Sequence, residues 1–208
     1  MNYFDFHHHK KNVPFGIYNM GLSDKIPDSL YSIGIHPKDI QHDKITEQFY
    51  WLKDNITENC FAVGECGLDS LVPIDQKIQE DVFLKQIEIS NEVKKPLIIH
   101  CVRKFYEVIS FRKKANQAMI IHGFNKKENI ARDFLKNHFY LSFGKAVLYN
   151  LSLQNTLKIT PLNRIFLETD NEDFDIATLY ETVADIKGIS LEVLNEQILE
   201  NLQHITHG

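Results

Sequence analysis

The stretch FDFHHHK at residues 4–10 sets two histidines, His7 and His9, two positions apart. On a strand such residues share a face, so both imidazoles can reach one ion while His8 turns the other way. A purification tag would be longer and would follow a start methionine or a linker. This run follows an aspartate between two aromatic residues, so it reads as protein. Similar residues end later apolar runs: Glu65 in CFAVGE, His100 in PLIIHC, His122 in AMIIHG, and Glu168 and Asp170 in RIFLETD. Imidazole and carboxylate together suit zinc, manganese or iron better than calcium, which prefers an all-oxygen shell. Taken singly, each residue has a plain structural reading: a histidine hydrogen-bonded in the core, a loop carboxylate at Glu65, a helix cap at Asp170. The inference rests on the joint pattern, in which His7, His9, Glu65, His100, His122 and Asp170 all fall at C-terminal strand ends. That set is too large for one catalytic zinc and matches two ions roughly 3.5–4 Å apart sharing a bridging carboxylate.

The elements that must position these residues alternate. Short apolar runs, NYFDFH, PFGIYNMG, LYSIGIH, CFAVGE, PLIIHC, AMIIHG, FYLSFG and RIFLETD, read as eight strands. Amphipathic stretches lie between most of them, including TEQFYWLKDNI, QKIQEDVFLKQIEISNEVKK and KKENIARDFLKN, and two more close the sequence. In the second of these, Val82, Phe83, Ile87 and Ile89 mark a face that lies on a sheet. Phe49, Tyr50 and Trp51 on the first helix are assigned to core packing. The expected fold is α/β, a compact (β/α)8 TIM-type barrel in which the C-terminal strand ends converge on one mouth. The gap between YNMG and LYSIG is too short for a helix, so the outer ring should be incomplete near the N-terminal units. With no linker, charge block or repeat, residues 1–208 are expected to form a single domain.

Composition narrows the chemistry. A net charge of -5 supplies no bulk positive field, so a phosphate-bearing substrate must be gripped locally by metal or by a few cations. The three cysteines, Cys60, Cys66 and Cys101, have no CxxC spacing, which argues against a disulfide framework or a zinc finger and for a reducing compartment. Cys66 and Cys101 each follow a predicted ligand and by alternation point away from the metals, as buried structural thiols. No apolar run reaches the roughly 18 residues of a membrane span. The expected location is cytoplasmic.

Six ordered segments resemble those of the TatD-type metal-dependent hydrolases. FDFHHH is similar to the family's D-x-H-x-H opening, SIGIHP to G-x-H-P, AVGECGLD to G-E-x-G-L-D, KPLIIH and MIIHGF to its later histidine strands, and IFLETD to its E-T-D strand. The resemblance implies an amidohydrolase-like α/β barrel that hydrolyses nucleic acid, as a 3′ to 5′ exonuclease or general deoxyribonuclease. It implies the same ligands, His7, His9, Glu65, His100, His122 and Asp170, and it matches His36 to the family's active-site histidine. The chain departs from the family pattern after His100, where Val102 takes the usual arginine position and Arg103 comes one residue later. In HGFNKK, Lys126 and Lys127 supply positive charge where the family has small residues.

The resulting expectation is a dinuclear hydrolase carrying two divalent ions drawn from zinc, manganese and magnesium. Asp170 and Glu65 are the catalytic carboxylates, with Glu65 bridging the ions and Asp170 acting on the attacking water. Glu168 lies behind the ligands and fixes one of them. His36, Arg103, Lys126 and Lys127 are the candidates for substrate contact, and nucleic acid is the expected partner, with no membrane. Two alternatives stay open: a hydrolase of a small lactone, amide or phosphoester, and a metal-binding barrel without turnover.

Overall fold

Apolar residues alternate with turn signals along the chain, and each apolar run forms a strand. The structure, a computed structural model, describes residues 2–11 and 13–207. Its strands are β1 (Asp5–His8), β2 (Gly16–Met20), β3 (Tyr31–Ile33), β4 (Cys60–Asp69), β5 (Leu97–Val102), β6 (Met119–Ile121), β7 (Tyr140–Phe143) and β8 (Ile165–Leu167). The helices are α1 (Ile45–Asp54), α2 (Gln76–Val93), α3 (Phe105–Phe111), α4 (Glu128–Lys136), α5 (Leu151–Ile159), α6 (Ile176–Lys187) and α7 (Leu191–His207). The eight strands form one sheet in sequence order. Among the described residues no helix separates β1 from β2 or β2 from β3, as the short gaps require. No helix of the described residues is long and apolar enough to cross a membrane.

The chain divides into two compact units, one of Met1–Ile17 with Ile121–Gly208 and one of Tyr18–Ile120. In the second unit β2, β3, β4 and β5 pair in parallel, with Tyr18 opposite Tyr31, Ile33 opposite Val63 and Gly67 opposite His100. Helix α2 begins at an Asp75 cap, whose carboxylate accepts the Lys77 and Ile78 amides at 2.8 and 3.3 Å. It buries Val82, Phe83, Ile87 and Ile89, the face expected from spacing.

That helix also carries two buried glutamines on one face, two turns apart. Gln86 accepts the Ile35 amide at 2.7 Å and donates to the Ile35 carbonyl at 3.0 Å. Gln79 does the same for Asp69, at 2.8 and 3.0 Å. Each side chain thus replaces a missing ladder partner and fixes a strand end whose backbone would otherwise be buried unpaired.

Two sequence expectations are revised. Strand β4 does not stop at Glu65 but continues to Asp69, because it stays paired with β5 through Asp69 opposite Val102 after a register shift between Val63 and Cys66. Of the three aromatics on α1, Phe49 packs against a cluster of Ile35, Ile40 and Val82. Tyr50, however, is 66% exposed, since consecutive residues on a helix point about 100° apart and cannot all face the core.

In the first unit β7 pairs in parallel with β8, and β1 meets the residues after β8 through a bridge between His8 and Asp170. Phe6 and Phe166 stack at 4.1 Å between ring centroids, and both are fully buried. Asn150 caps α5 by accepting the Leu153 amide. Helix α6 is capped by Asp175 and closed by Gly188 at a φ of 65°, the left-handed conformation that suits glycine.

Candidate metal centre

In the second unit the donors gather around Glu65. Asn19 on β2 donates from Nδ2 to Glu65 Oε2 at 2.8 Å, and its Oδ1 accepts the Glu65 amide at 3.2 Å. The end of β3 approaches closely: a side chain at Gly34 would come within 2.6 Å of the Glu65 carbonyl oxygen. Gly67 lets β5 approach in the same way, with a φ of 141° and the His100 carbonyl 2.1 Å from where a Cβ would lie. These contacts hold Glu65 93% shielded. His100 Nε2 lies 2.9 Å from Asp69 Oδ2, and its Nδ1 lies 3.6 Å from Glu65 Oε1. A ring that donates from Nε2 to Asp69 keeps its Nδ1 lone pair on the Glu65 side, which is how a carboxylate orients a metal-binding histidine. Burial alone would raise the Asp69 carboxyl. The hydrogen bonds from His100 and from the Leu71 amide hold it below its ordinary value.

His36 stands differently. Its Nδ1 accepts the Lys38 amide at 3.0 Å, so the proton of the neutral ring sits on Nε2. Nε2 faces Glu65 Oε1 at 3.9 Å. His36 therefore offers the site a hydrogen-bond donor where His100 offers a lone pair.

In the first unit the donors gather around Asp170. Its Oδ1 lies 3.3 Å from His9 Nε2 and 3.7 Å from His7 Nε2. The backbone enforces the grouping: the Asp170 amide donates to the His7 carbonyl at 2.9 Å, and the His9 amide to the Asp170 carbonyl at 3.3 Å. Asp170 has a φ of 51°, a conformation that Asp and Asn tolerate better than other side chains. Asp5 takes no ligand position. It accepts the Thr169 amide at 2.9 Å and the Thr169 hydroxyl at 2.6 Å, holding the ETD segment against β1. Burial pushes the Asp5 carboxyl up to about 6.

Glu168 is fully buried. Its Oε1 accepts the Gly123 amide at 2.6 Å and lies 3.5 Å from His122 Nδ1, and its Oε2 accepts from the Ser142 hydroxyl. His8, by contrast with its two neighbours, is not a member of the donor groups among the described residues, and it is 1% exposed.

Donor atoms of His7, His9 and Asp170 all lie within 4.8 Å of one another, as do those of His122, Glu168 and Asp170, and those of His36, Glu65 and His100. Bonds of about 2.0–2.2 Å place two donors of one tetrahedral ion roughly 3.4 Å apart. The spacings between carboxylate and the imidazoles of His9, His100 and His7, from 3.3 to 3.7 Å, fit that requirement. The residues present therefore suit divalent metal, with imidazole and carboxylate in the proportion that zinc and manganese take.

The sequence-predicted residues meet in these groups, with Glu168 as an added member. Arg103 is exposed in the turn after β5, and Lys126 and Lys127 are exposed in the loop before α4. Sequence reasoning missed Asn19 and Asp69. Asp69 falls at an even spacing from Glu65, but that spacing has meaning only once the strand is known to run on to Asp69. Asn19 carried none. A cavity of about 170 Å³ lies over Glu168 and Asp170, lined also by Gly123, Asn125, Lys145 and Tyr149.

Comparison with known proteins is consistent with this chemistry. A family model described as TatD related DNase matches residues 18–207. A protein of Buchnera aphidicola named an uncharacterized metal-dependent hydrolase is 32% identical over 191 residues, 83% of this chain and 72% of that protein. One of Bacillus subtilis with the same description is 30% identical over 86% of this chain and 78% of its own length. Among solved structures, a TatD homologue of Escherichia coli K12 superposes with a TM-score of 0.82 at 17% identity, covering 99% of this chain and 98% of that one. A hydrolase of the TatD family from Entamoeba histolytica gives 0.80 at 15% identity, over 99% and 98%. The likeness shows the fold, a (β/α)8 TIM-type barrel.

Proposed function

The chain belongs to the TatD-related DNase family of metal-dependent hydrolases, and from that premise we propose that it is a phosphodiesterase that shortens nucleic acid from the 3′ end. The observation that carries the reading is the group formed by His7, His9 and Asp170, which has the donor chemistry and spacing of a divalent site. In this reading His7, His9 and Asp170 would hold one ion, and Glu65 and His100 would hold a second; zinc, manganese and magnesium are the candidates.

Bound divalent ions lower the pKa of water and neutralise charge on a phosphodiester. The chain's own residues do the rest. Asp170 orients the attacking water through its carboxylate and accepts its proton. His36 donates from Nε2 to a non-bridging phosphate oxygen. Glu168 keeps His122 in place, and Asp69 keeps His100 in place, so that each ring presents one nitrogen. Arg103 adds a cation at the end of β5. A reducing, cytoplasmic location suits three cysteines that have no CxxC spacing.

The test is hydrolysis of a single-stranded DNA oligonucleotide, an RNA and a chromogenic phosphodiester by the metal-free protein reloaded with Mg²⁺, Mn²⁺ or Zn²⁺ in turn. Stepwise shortening from the 3′ end supports the proposal. Turnover of a lactone or amide with no cleavage of any phosphodiester would replace it with the small-molecule reading.

A further inference from the structure

The loop after β7 presents an aromatic ring that the metal chemistry does not use. Tyr149 is 72% exposed, more than Tyr50 or Tyr106, yet it lines the cavity that also contains Glu168 and Asp170. Its backbone is well fixed. The Val147 amide donates to the Gly144 carbonyl at 3.1 Å and the Asn150 amide to the Ala146 carbonyl at 2.9 Å. Gln154 on α5 donates to the Val147 carbonyl at 2.8 Å, and Asn150 caps the same helix.

A second cavity of about 320 Å³ begins beside the first, because Asn125 lines both. Its other walls are Lys126, Lys127, Asn150, Ser152 and Leu153. Asn150 Nδ2 lies 3.4 Å from Asn125 Oδ1, so the two asparagines form the sill between the cavities. In order, then, the surface offers carboxylate donors, a flat aromatic ring, amides and two ammonium groups.

We propose that Tyr149 is a stacking platform for a nucleobase of a single-stranded substrate, and that Lys126 and Lys127 receive a neighbouring phosphate in the adjoining cavity. The proposal rests on the phosphodiesterase reading above and names the residues that would extend it to a polymer. A planar base gains from an exposed ring whatever its identity, since every base has a π face. The lysines answer the local need of a chain whose net charge of -5 repels polyanions. A small lactone or ester would fill the first cavity and gain nothing from the second. Stacking requires only the π face that every base has, so the expected recognition tolerates any sequence and requires an unpaired end.

The experiment uses the full chain loaded with Mn²⁺, a single-stranded oligonucleotide and a chromogenic phosphodiester. Tyr149→Ala should raise KM for the oligonucleotide roughly five- to a hundred-fold, with a several-fold smaller effect on the small diester. Tyr149→Phe, which keeps the ring face, should restore the oligonucleotide KM. Lys126→Ala combined with Lys127→Ala should flatten the salt dependence of oligonucleotide affinity by about 0.7 per phosphate lost, a change that Tyr149→Ala should not produce. Equal losses on both substrates, a Phe variant as poor as Ala, or an unaltered salt slope in the lysine variant would overturn the proposal. Fluorescence anisotropy of the oligonucleotide needs no turnover and keeps the two readings apart. Wild-type protein that cleaves neither substrate removes the phosphodiesterase reading, whereas wild-type protein that does not bind the oligonucleotide removes this one.

Discussion

Asn19 grips Glu65 twice, donating to its carboxylate at 2.8 Å and accepting its backbone amide at 3.2 Å. Ser32 on the neighbouring strand donates to the same amide oxygen at 3.3 Å, so the orientation of Asn19 is itself fixed. The Glu65 carboxylate is therefore aimed by Asn19. Asn19→Ala should weaken metal binding by roughly 10- to 100-fold, the cost usual for a partner that orients a ligand. Chelator competition on the variant, with circular dichroism to confirm folding, checks this; unchanged affinity would remove Asn19 from the positioning of Glu65.

Asp170→Asn should abolish turnover while the fold survives. Asparagine tolerates the φ of 51° at this position as well as aspartate does, but its amide cannot accept a proton at neutral pH. The expected loss in kcat is 10² to 10⁴, the range for a general base. Metal content is measured in the same variant, because an empty site and a lost base both slow the reaction. A rate within about threefold of wild type would mean that Asp170 does not act on the water.

His8 predicts an acid instability. Burial, with the neighbouring charge of His7 second, lowers its pKa to about 4 from the ordinary 6.5. Between those values the unfolded chain binds a proton that the folded chain refuses, so this residue makes stability fall as pH drops from about 6.5 to about 4. Asp5 works in the opposite sense. With its folded pKa raised to about 6, its contribution is complete below the ordinary carboxylate value and is lost as pH rises through about 6. Comparing urea unfolding of metal-free wild type with His8→Gln cancels Asp5 and isolates His8. The wild-type curve should fall away from the variant's as the pH is lowered, and parallel curves would refute the assignment.

Thiol labelling gives a direct check on packing. Burial pushes the Cys60 thiol up to about 11 and the Cys66 thiol higher still. Cys101 is only partly covered. A maleimide at neutral pH should modify at most one cysteine in the folded protein and all three in denaturant. Rapid labelling of Cys66 in the folded state would contradict its placement behind Glu65.

Much of this architecture was legible in the sequence because it is local. Each strand is a short apolar run, and the helices show their buried faces through the spacing of residues such as Phe83 and Ile87. The donor residues were legible for a related reason: histidines and acids at the ends of apolar runs are conspicuous where solvent-exposed polar residues would be ordinary. What stayed hidden depends on register. Asn19, Gln79 and Gln86 are common residue types whose roles appear only when β2 lies beside β3 and α2 lies against β4. The extent of β4 was hidden likewise, since a glycine-rich GECGLD reads locally as a turn and becomes a strand only through its pairing with β5. The place of Tyr149 at the edge of a cavity likewise depends on the turn before α5.

The pairing of Asp5 with Thr169 spans 164 residues of sequence, and His7, His9 and Asp170 sit on the same two segments. An ion held there would clasp segments that are remote along the chain, and its binding energy would count toward keeping them joined. At a free concentration a hundred times its Kd, such a clasp contributes about 2.7 kcal/mol. Contacts so distant in sequence are among the slowest to form, so metal supply would govern how long the finished protein stays closed more than how fast it first folds. Metal starvation would then appear as faster turnover of the protein in addition to any loss of catalysis.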